Sequence, residues 1–227
     1  MKNVIGSTLA LSAVAIGACT VSTPALHPMM HPSVRGDANG AGVGGGALYA
    51  FTAETGASSR SNVLVLPYGE GWARFGLGAG QLELRVGPGL GYLSYRANIV
   101  SAQEKSAGLA LVTSMGLGYW RAWESGGRRG NDAESALALA PNLSLLLSFD
   151  EGRVYLSPRL GFLHLRSSSG GDTDSTGLIA GGLNVGCIVD DEPYKISLEL
   201  GMQRVTSTDD NSEGAVYLIA PSVGVEL

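Results

Sequence analysis

His164 is the residue that comes closest to a catalytic group in this chain. It is the single histidine after residue 31, and Ser167, Ser168 and Ser169 follow it at the end of the same predicted strand. A histidine beside a serine can activate the hydroxyl as a nucleophile, as esterases and deacylases do. The alternation of the strand, however, groups His164 with Leu160 on the apolar face, where an interfacial histidine has no such role. Since the chain also lacks the HExxH, CxxC, Walker and Gly-x-Ser-x-Gly patterns, we predict that it is not an enzyme.

Two other stretches contain residues with metal-binding chemistry. Histidines and methionines alternate with prolines from His27 to Pro32, and such side chains suit copper or zinc. No carboxylate or thiol nearby would complete that site. Acidic residues at 190–192 and 209–210 could bind Ca²⁺ loosely, although acidic turns of this kind are ordinarily solvated. We therefore predict no metal site and no cofactor.

The N-terminus predicts export and lipid attachment. Residues 1–18 combine a positive start with an apolar run, which is typical of a secretory signal peptide. They end in Ala15-Ile16-Gly17-Ala18 followed by Cys19, a pattern that resembles the bacterial lipobox, in which the cysteine carries lipid. An ordinary signal peptide followed by a chance cysteine is the alternative. Thr20 after the cysteine resembles outer-membrane sorting, and residues 19–42 are predicted to be the lipidated cysteine and a flexible tether rich in proline, serine and glycine.

Composition favours a β-rich chain. The 227 residues include 34 glycines and only 15% charged residues, whereas an ordinary soluble domain has about 25%. A net charge of −5 provides no basic surface, so nucleic acid is not an expected partner. No apolar run after the N-terminus is long enough for a helical membrane span, but short alternating strands could still cross a membrane.

Strict alternation of apolar and polar residues predicts the fold. The stretch from Tyr194 to Arg204 alternates without a slip, as expected of a strand with one apolar and one polar face. Nine further stretches follow the same period, so residues 43–227 are predicted to form one all-β domain. We expect a single antiparallel up-and-down barrel of about ten strands, with eight as the other possible count. Short joins alternate with long ones, the latter including residues 122–134, 168–175 and 207–213, as in transmembrane barrels.

The polar faces favour a membrane barrel over a soluble one, because they are mostly glycine, alanine and serine with sparse charges of both signs. We predict that these charges form a paired network in the lumen, since an unpaired buried charge is costly. The predicted network comprises Arg74, Glu83, Arg85, Arg153, Arg159, Lys195, Glu199 and Glu226. Aromatic residues near strand ends are predicted to form girdles at the membrane surfaces; they are Tyr68, Trp72, Tyr119, Trp120, Trp123, Phe149, Tyr155, Tyr194 and Tyr217.

The amphipathic strands of residues 43–227 and the C-terminal run from Val216 to Leu227 resemble the small outer-membrane β-barrel proteins of Gram-negative bacteria. The resemblance implies an outer-membrane location with outer-membrane lipids as partners, and the lipobox pattern adds an anchor through Cys19. The leading hypothesis is a non-enzymatic scaffold that partners other envelope proteins. Three alternatives stay open: a narrow pore, a soluble lipoprotein barrel that binds a hydrophobic ligand, and a lipid-modifying enzyme.

Overall fold

The computed structural model describes residues 39–53, 63–78, 80–87, 90–100, 107–122, 134–169, 172–191, 194–208 and 215–226. Within these ranges lie ten strands and one short 3₁₀ turn at Asp150–Gly152. The strands are β1 (Gly40–Ala53), β2 (Val63–Gly76), β3 (Gly80–Gly87), β4 (Leu90–Val100), β5 (Ala107–Ala122), β6 (Glu134–Phe149), β7 (Val154–Ser169), β8 (Asp172–Asp191), β9 (Tyr194–Ser207) and β10 (Ala215–Glu226). The predicted signal peptide, Cys19 and the stretch from His27 to Pro32 lie outside the described residues.

The ten strands form one closed antiparallel barrel. Each strand pairs with its neighbours in sequence, and β1 pairs with β10 to close the sheet. Closure leaves no edge strand with unpaired backbone groups. The predicted all-β, ten-stranded, up-and-down barrel is therefore confirmed. We call the end where β1 begins and β10 ends the terminal side, and the opposite end the loop side.

The pairing register determines how wide the barrel is. If the paired residues are followed once around the barrel, the path starts at Gly40 in β1 and returns to the same strand at Thr52. This offset of 12 residues is the shear number of the barrel. With ten strands, this shear corresponds to a tilt of about 40° and places the backbone about 10 Å from the barrel axis. Only side chains fit into a lumen of that radius.

The two faces of the wall alternate as the sequence predicts. Along β9 the outward residues Tyr194, Ile196, Leu198, Leu200 and Met202 are all exposed, while the polar or small residues between Ser197 and Gln203 are buried. β2 continues through Pro67, which pairs in register with Ala47.

One predicted join is wrong. Residues 168–175 were expected to form a long polar loop, but β7 runs to Ser169 and β8 begins at Asp172. Ser169 pairs with Asp172, leaving two residues between the strands. Serine and threonine are polar yet pair readily in a hairpin, since threonine fits a pleated strand. Polarity therefore did not mark the end of these strands, and long and short joins do not alternate strictly.

Three inward aromatic rings each lie over a glycine on the neighbouring strand. The directly paired residues are Trp72 with Gly42, Tyr92 with Gly116, and Tyr155 with Gly186. A Cβ atom built on Gly116 would lie 2.5 Å from Cε1 of Tyr92. A Cβ atom on Gly42 would likewise collide with the ring of Trp72, and one on Gly186 with the ring of Tyr155. These glycines leave room for the aromatic side chains inside the narrow lumen.

We predict that Gly116→Ala destabilises the protein by about 1–3 kcal/mol, because the Tyr92 ring must move within a packed interior. Gly181→Ala is the matched control, since a Cβ atom there meets nothing within 4 Å. It should be neutral or stabilise by about 0.4–1 kcal/mol through the unfolded state. Denaturant titration of the folded protein measures both values, and equal effects would contradict the role assigned to Gly116.

Candidate functional site

Near the terminal side, bulky inward side chains of β2 to β4 lie next to small ones on β1. Large inward residues come from β2, β3 and β4, whereas β1 contributes glycines at 40, 42, 44 and 46. Since Gly42 pairs with Trp72 on one side and with Glu226 on the other, side chains of β2 reach across β1 to β10. A charged cluster forms at this crossing.

Five charged residues form a chain of alternating sign there. Arg74 contacts Glu226 and donates from Nε to Glu83 at 2.6 Å. Glu83 also accepts from Nη2 of Arg85 at 2.7 Å. Arg85 completes the chain by donating from Nη1 to Glu70 at 3.1 Å. The guanidinium groups are almost entirely buried, so each charge depends on its neighbours rather than on water.

Trp72 contacts three of these five charged residues. The guanidinium carbons of Arg74 and Arg85 lie 5.5 Å and 5.6 Å from the centre of its ring, within the range of cation–π attraction. Its indole Nε1 donates to Glu226 Oε2 at 3.4 Å. Glu70, Trp72, Arg74, Glu83, Arg85 and Glu226 together are called the charged layer below.

A second polar group lines the opposite wall. The Tyr155 hydroxyl donates to Glu199 Oε2 at 2.6 Å, and Asn184 Nδ2 donates to Glu199 Oε1 at 3.0 Å. Nearby along the wall, Arg159 Nη2 donates to Asn142 Oδ1 at 3.3 Å. These buried charges are hydrogen-bonded, which is the condition for tolerating them inside a protein.

The eight charges predicted for the lumen fall into four groups. Arg74, Glu83, Arg85 and Glu226 belong to the charged layer; Arg159 and Glu199 are buried in the second polar group. Lys195 is half-buried at the terminal rim, directly across from Glu226. Arg153 does not line the lumen: it is exposed in the turn before β7. Asp150 and Glu151 adopt positive φ values there, so strand alternation does not extend to Arg153.

Sequence reasoning misplaced three aromatic residues and missed Glu70. Tyr68, Trp72 and Tyr155 were predicted for surface girdles, but all three are buried in the lumen. Tyr68, Glu70 and Trp72 share the parity of Arg74 in β2, so the period of two already indicated their direction. Tyr119, Phe149 and Tyr194 do lie exposed on the outward face, and Tyr217 is half-buried. Trp123 and the side chain of Trp120 lie outside what the structure describes.

The described residues do not assemble the other candidate sites. His164 is half-buried on the outward face, whereas Ser167 and Ser169 have the opposite parity. Ser168 shares its face but is four residues along the strand, about 13 Å away. No group of histidine, cysteine and acidic side chains in the described ranges could hold a metal ion. Cys187 is a half-buried free thiol on the outward face. Among the described residues, no helix is long and apolar enough to span a membrane.

No protein-family model and no curated protein matches the chain. Among solved structures, it is similar to Ail, the attachment invasion locus protein of Yersinia pestis, at 13% identity and a TM-score of 0.35, over 83% of this chain and 99% of that one. The translocator domain of autotransporter NalP from Neisseria meningitidis is 14% identical, with a TM-score of 0.40, over 98% and 95%. The outer membrane protease OmpT from Escherichia coli is 11% identical, with a TM-score of 0.38, over 83% and 94%. The strand pairing of this chain establishes the closed barrel independently of these likenesses.

We predict that Arg74→Met destabilises the barrel by about 3–5 kcal/mol, because Glu226 loses its buried counter-charge. Adding Glu226→Gln should recover part of that loss, with a coupling of about 1–3 kcal/mol between the two sites. Denaturant titration of the two single variants and the double variant measures the coupling.

Arg153→Met is the control, since an exposed turn residue should change stability by less than about 0.5 kcal/mol. Strictly additive effects of Arg74→Met and Glu226→Gln would show that the two charges do not stabilise one another.

Proposed function

We propose that the protein is an outer-membrane β-barrel lipoprotein with a closed lumen and a structural or envelope-assembly role. The observation that carries this proposal is the polarity of the wall, which is apolar outside and polar inside. A soluble barrel has the reverse arrangement. The proposal includes attachment through lipid on Cys19, supported by the lipobox pattern in the sequence.

The outward face has the composition of a surface in contact with lipid. Leucine, valine, isoleucine, methionine and aromatic residues cover it on all ten strands. Among the outward side chains that the structure describes in the strands, the charged ones are Arg166 and Arg204, both toward the loop side. Along β9 the apolar run from Tyr194 to Met202 spans about 20–25 Å at a tilt of about 40°, close to the apolar band of membrane barrels.

Aromatic residues border this band at both ends. Phe75, Phe149 and Tyr194 are exposed near the terminal side. Near the loop side Tyr49 and Tyr119 are exposed, and the rings of Phe51 and Tyr217 stack with their centres 6.1 Å apart. Amphipathic rings at these depths suit the membrane–water interface, which supports a membrane barrel rather than a soluble lipoprotein barrel.

The filled lumen favours a structural role over transport. Arg74, Tyr92 and Tyr155 are among the most deeply buried side chains of the protein, and all three point toward the barrel axis. We expect side chains of this size to fill a ten-stranded barrel, unlike the water-filled lumen of a porin. A closed barrel can still contribute its outer wall and loops to an assembly of envelope proteins.

Fractionation of cells that produce the full chain tests the membrane proposal. We expect the protein in the outer-membrane fraction, resistant to alkaline extraction, with a gel mobility that changes on heating because the closed barrel unfolds only at high temperature. A protein released in soluble form by alkaline treatment, with unchanged mobility, would contradict the proposal and favour the soluble barrel.

A further inference from the structure

The lumen contains two layers of different chemistry. The charged layer has been described above. The second, called the apolar layer, is a buried cluster with four large aliphatic side chains, surrounded by alanines and Tyr92. It comprises Leu48, Tyr92, Ala138, Ala140, Leu163, Ala180, Val205, Leu218 and Ala220, with Ala50, Leu165, Leu178 and Val216 packed against it.

The apolar layer lies on the loop side of the charges. On β10, which runs toward the terminal side, Leu218 precedes Glu226. On β1, which runs the other way, Gly42, the partner of both Trp72 and Glu226, precedes Leu48. Strands of opposite direction therefore give the same order, and the two layers are stacked along the barrel axis.

Each layer excludes water by different physics. The large aliphatic side chains of the apolar layer are between 2% and 6% exposed, and they come from β1, β7, β9 and β10. A constriction lined by such side chains blocks ions because water does not wet it. The charged layer is closed by ion pairs of the guanidinium groups of Arg74 and Arg85, both of which lie over the ring of Trp72. An ion could pass only after these pairs separate.

We infer that the lumen is closed by two independent seals in series, one apolar and one charge-paired, so that removing either leaves the barrel non-conducting. The inference rests on the proposed membrane barrel and goes beyond it, because it assigns the permeability barrier to specific side chains. It also explains why the lumen contains a hydrophobic cluster next to a set of paired charges. One packed layer would already block a pore. The apolar layer adds a barrier that contains no charges and therefore does not depend on salt screening.

Single-channel recording in planar lipid bilayers tests the inference with three variants of the full chain. The first removes the apolar seal (Leu48→Ala, Leu163→Ala and Leu218→Ala). The second removes the charged seal (Arg74→Met, Arg85→Met, Glu70→Gln, Glu83→Gln and Glu226→Gln), and the third combines all eight changes. We expect no discrete current steps from the first two variants and clear steps from the combined one.

The matched control combines the charged-seal variant with Leu146→Ala and Ile188→Ala. These residues form a separate buried apolar cluster beside Tyr155 and Ala110, so their loss creates space without opening the apolar layer. This control should stay silent.

Steps from either single-seal variant would overturn the inference, because one layer would then be the whole barrier. Silence from the combined variant would also overturn it, provided that the variant shows heat-modifiable mobility. If the combined variant does not fold, Leu218→Ala with Glu226→Gln is tested against each single change and interpreted in the same way. A wild-type protein that fails the fractionation test would instead refute the membrane barrel, so the two failures are distinguishable.

Discussion

The fixed circumference of the barrel is the constraint on which the rest of the structure depends. Ten strands with a shear of 12 place the wall about 10 Å from the axis, so the inward side chains must share a small, nearly constant cross-section. The large rings of Trp72, Tyr92 and Tyr155 fit because each is paired with a glycine on the neighbouring strand. The 34 glycines of the chain are thus explained in part by the space that Trp72, Tyr92 and Tyr155 occupy.

The same geometry explains how charges are tolerated inside the wall. Burying an ion pair rarely stabilises a protein more than a well-packed apolar pair would, but breaking such a pair is costly. The chain from Glu226 through Arg74, Glu83 and Arg85 to Glu70 connects β10, β2 and β3 across the point where the barrel closes. We infer that it specifies the closing register, because a slip by one residue would turn these charges to the outward face.

Strand alternation is a local property, and it was sufficient to predict the class, the strand count and nearly all strand positions. The contents of the lumen depend on pairing between distant segments. The alternation of β2 already directs Trp72 inward, but its contacts there are the space that Gly42 leaves for the ring and the Glu226 carboxylate that accepts its indole N–H. None of these partners is near it in sequence. Arg153 was misplaced for a different reason, since a turn with positive φ values ends the alternation just before β7.

Electron paramagnetic resonance along β9 tests the reversed polarity of the wall most directly. A spin label is placed at each position from Tyr194 to Gln203 in turn, in a Cys187→Ser background and in lipid vesicles, and its collisions with oxygen and with a water-soluble nickel reagent are measured. Even-numbered positions should be reached by oxygen from the lipid, and the buried odd-numbered positions from Ser197 to Gln203 by neither reagent. Frequent collisions of the nickel reagent with labels at Leu198 and Leu200 would show that this face is in water, and would contradict a membrane barrel.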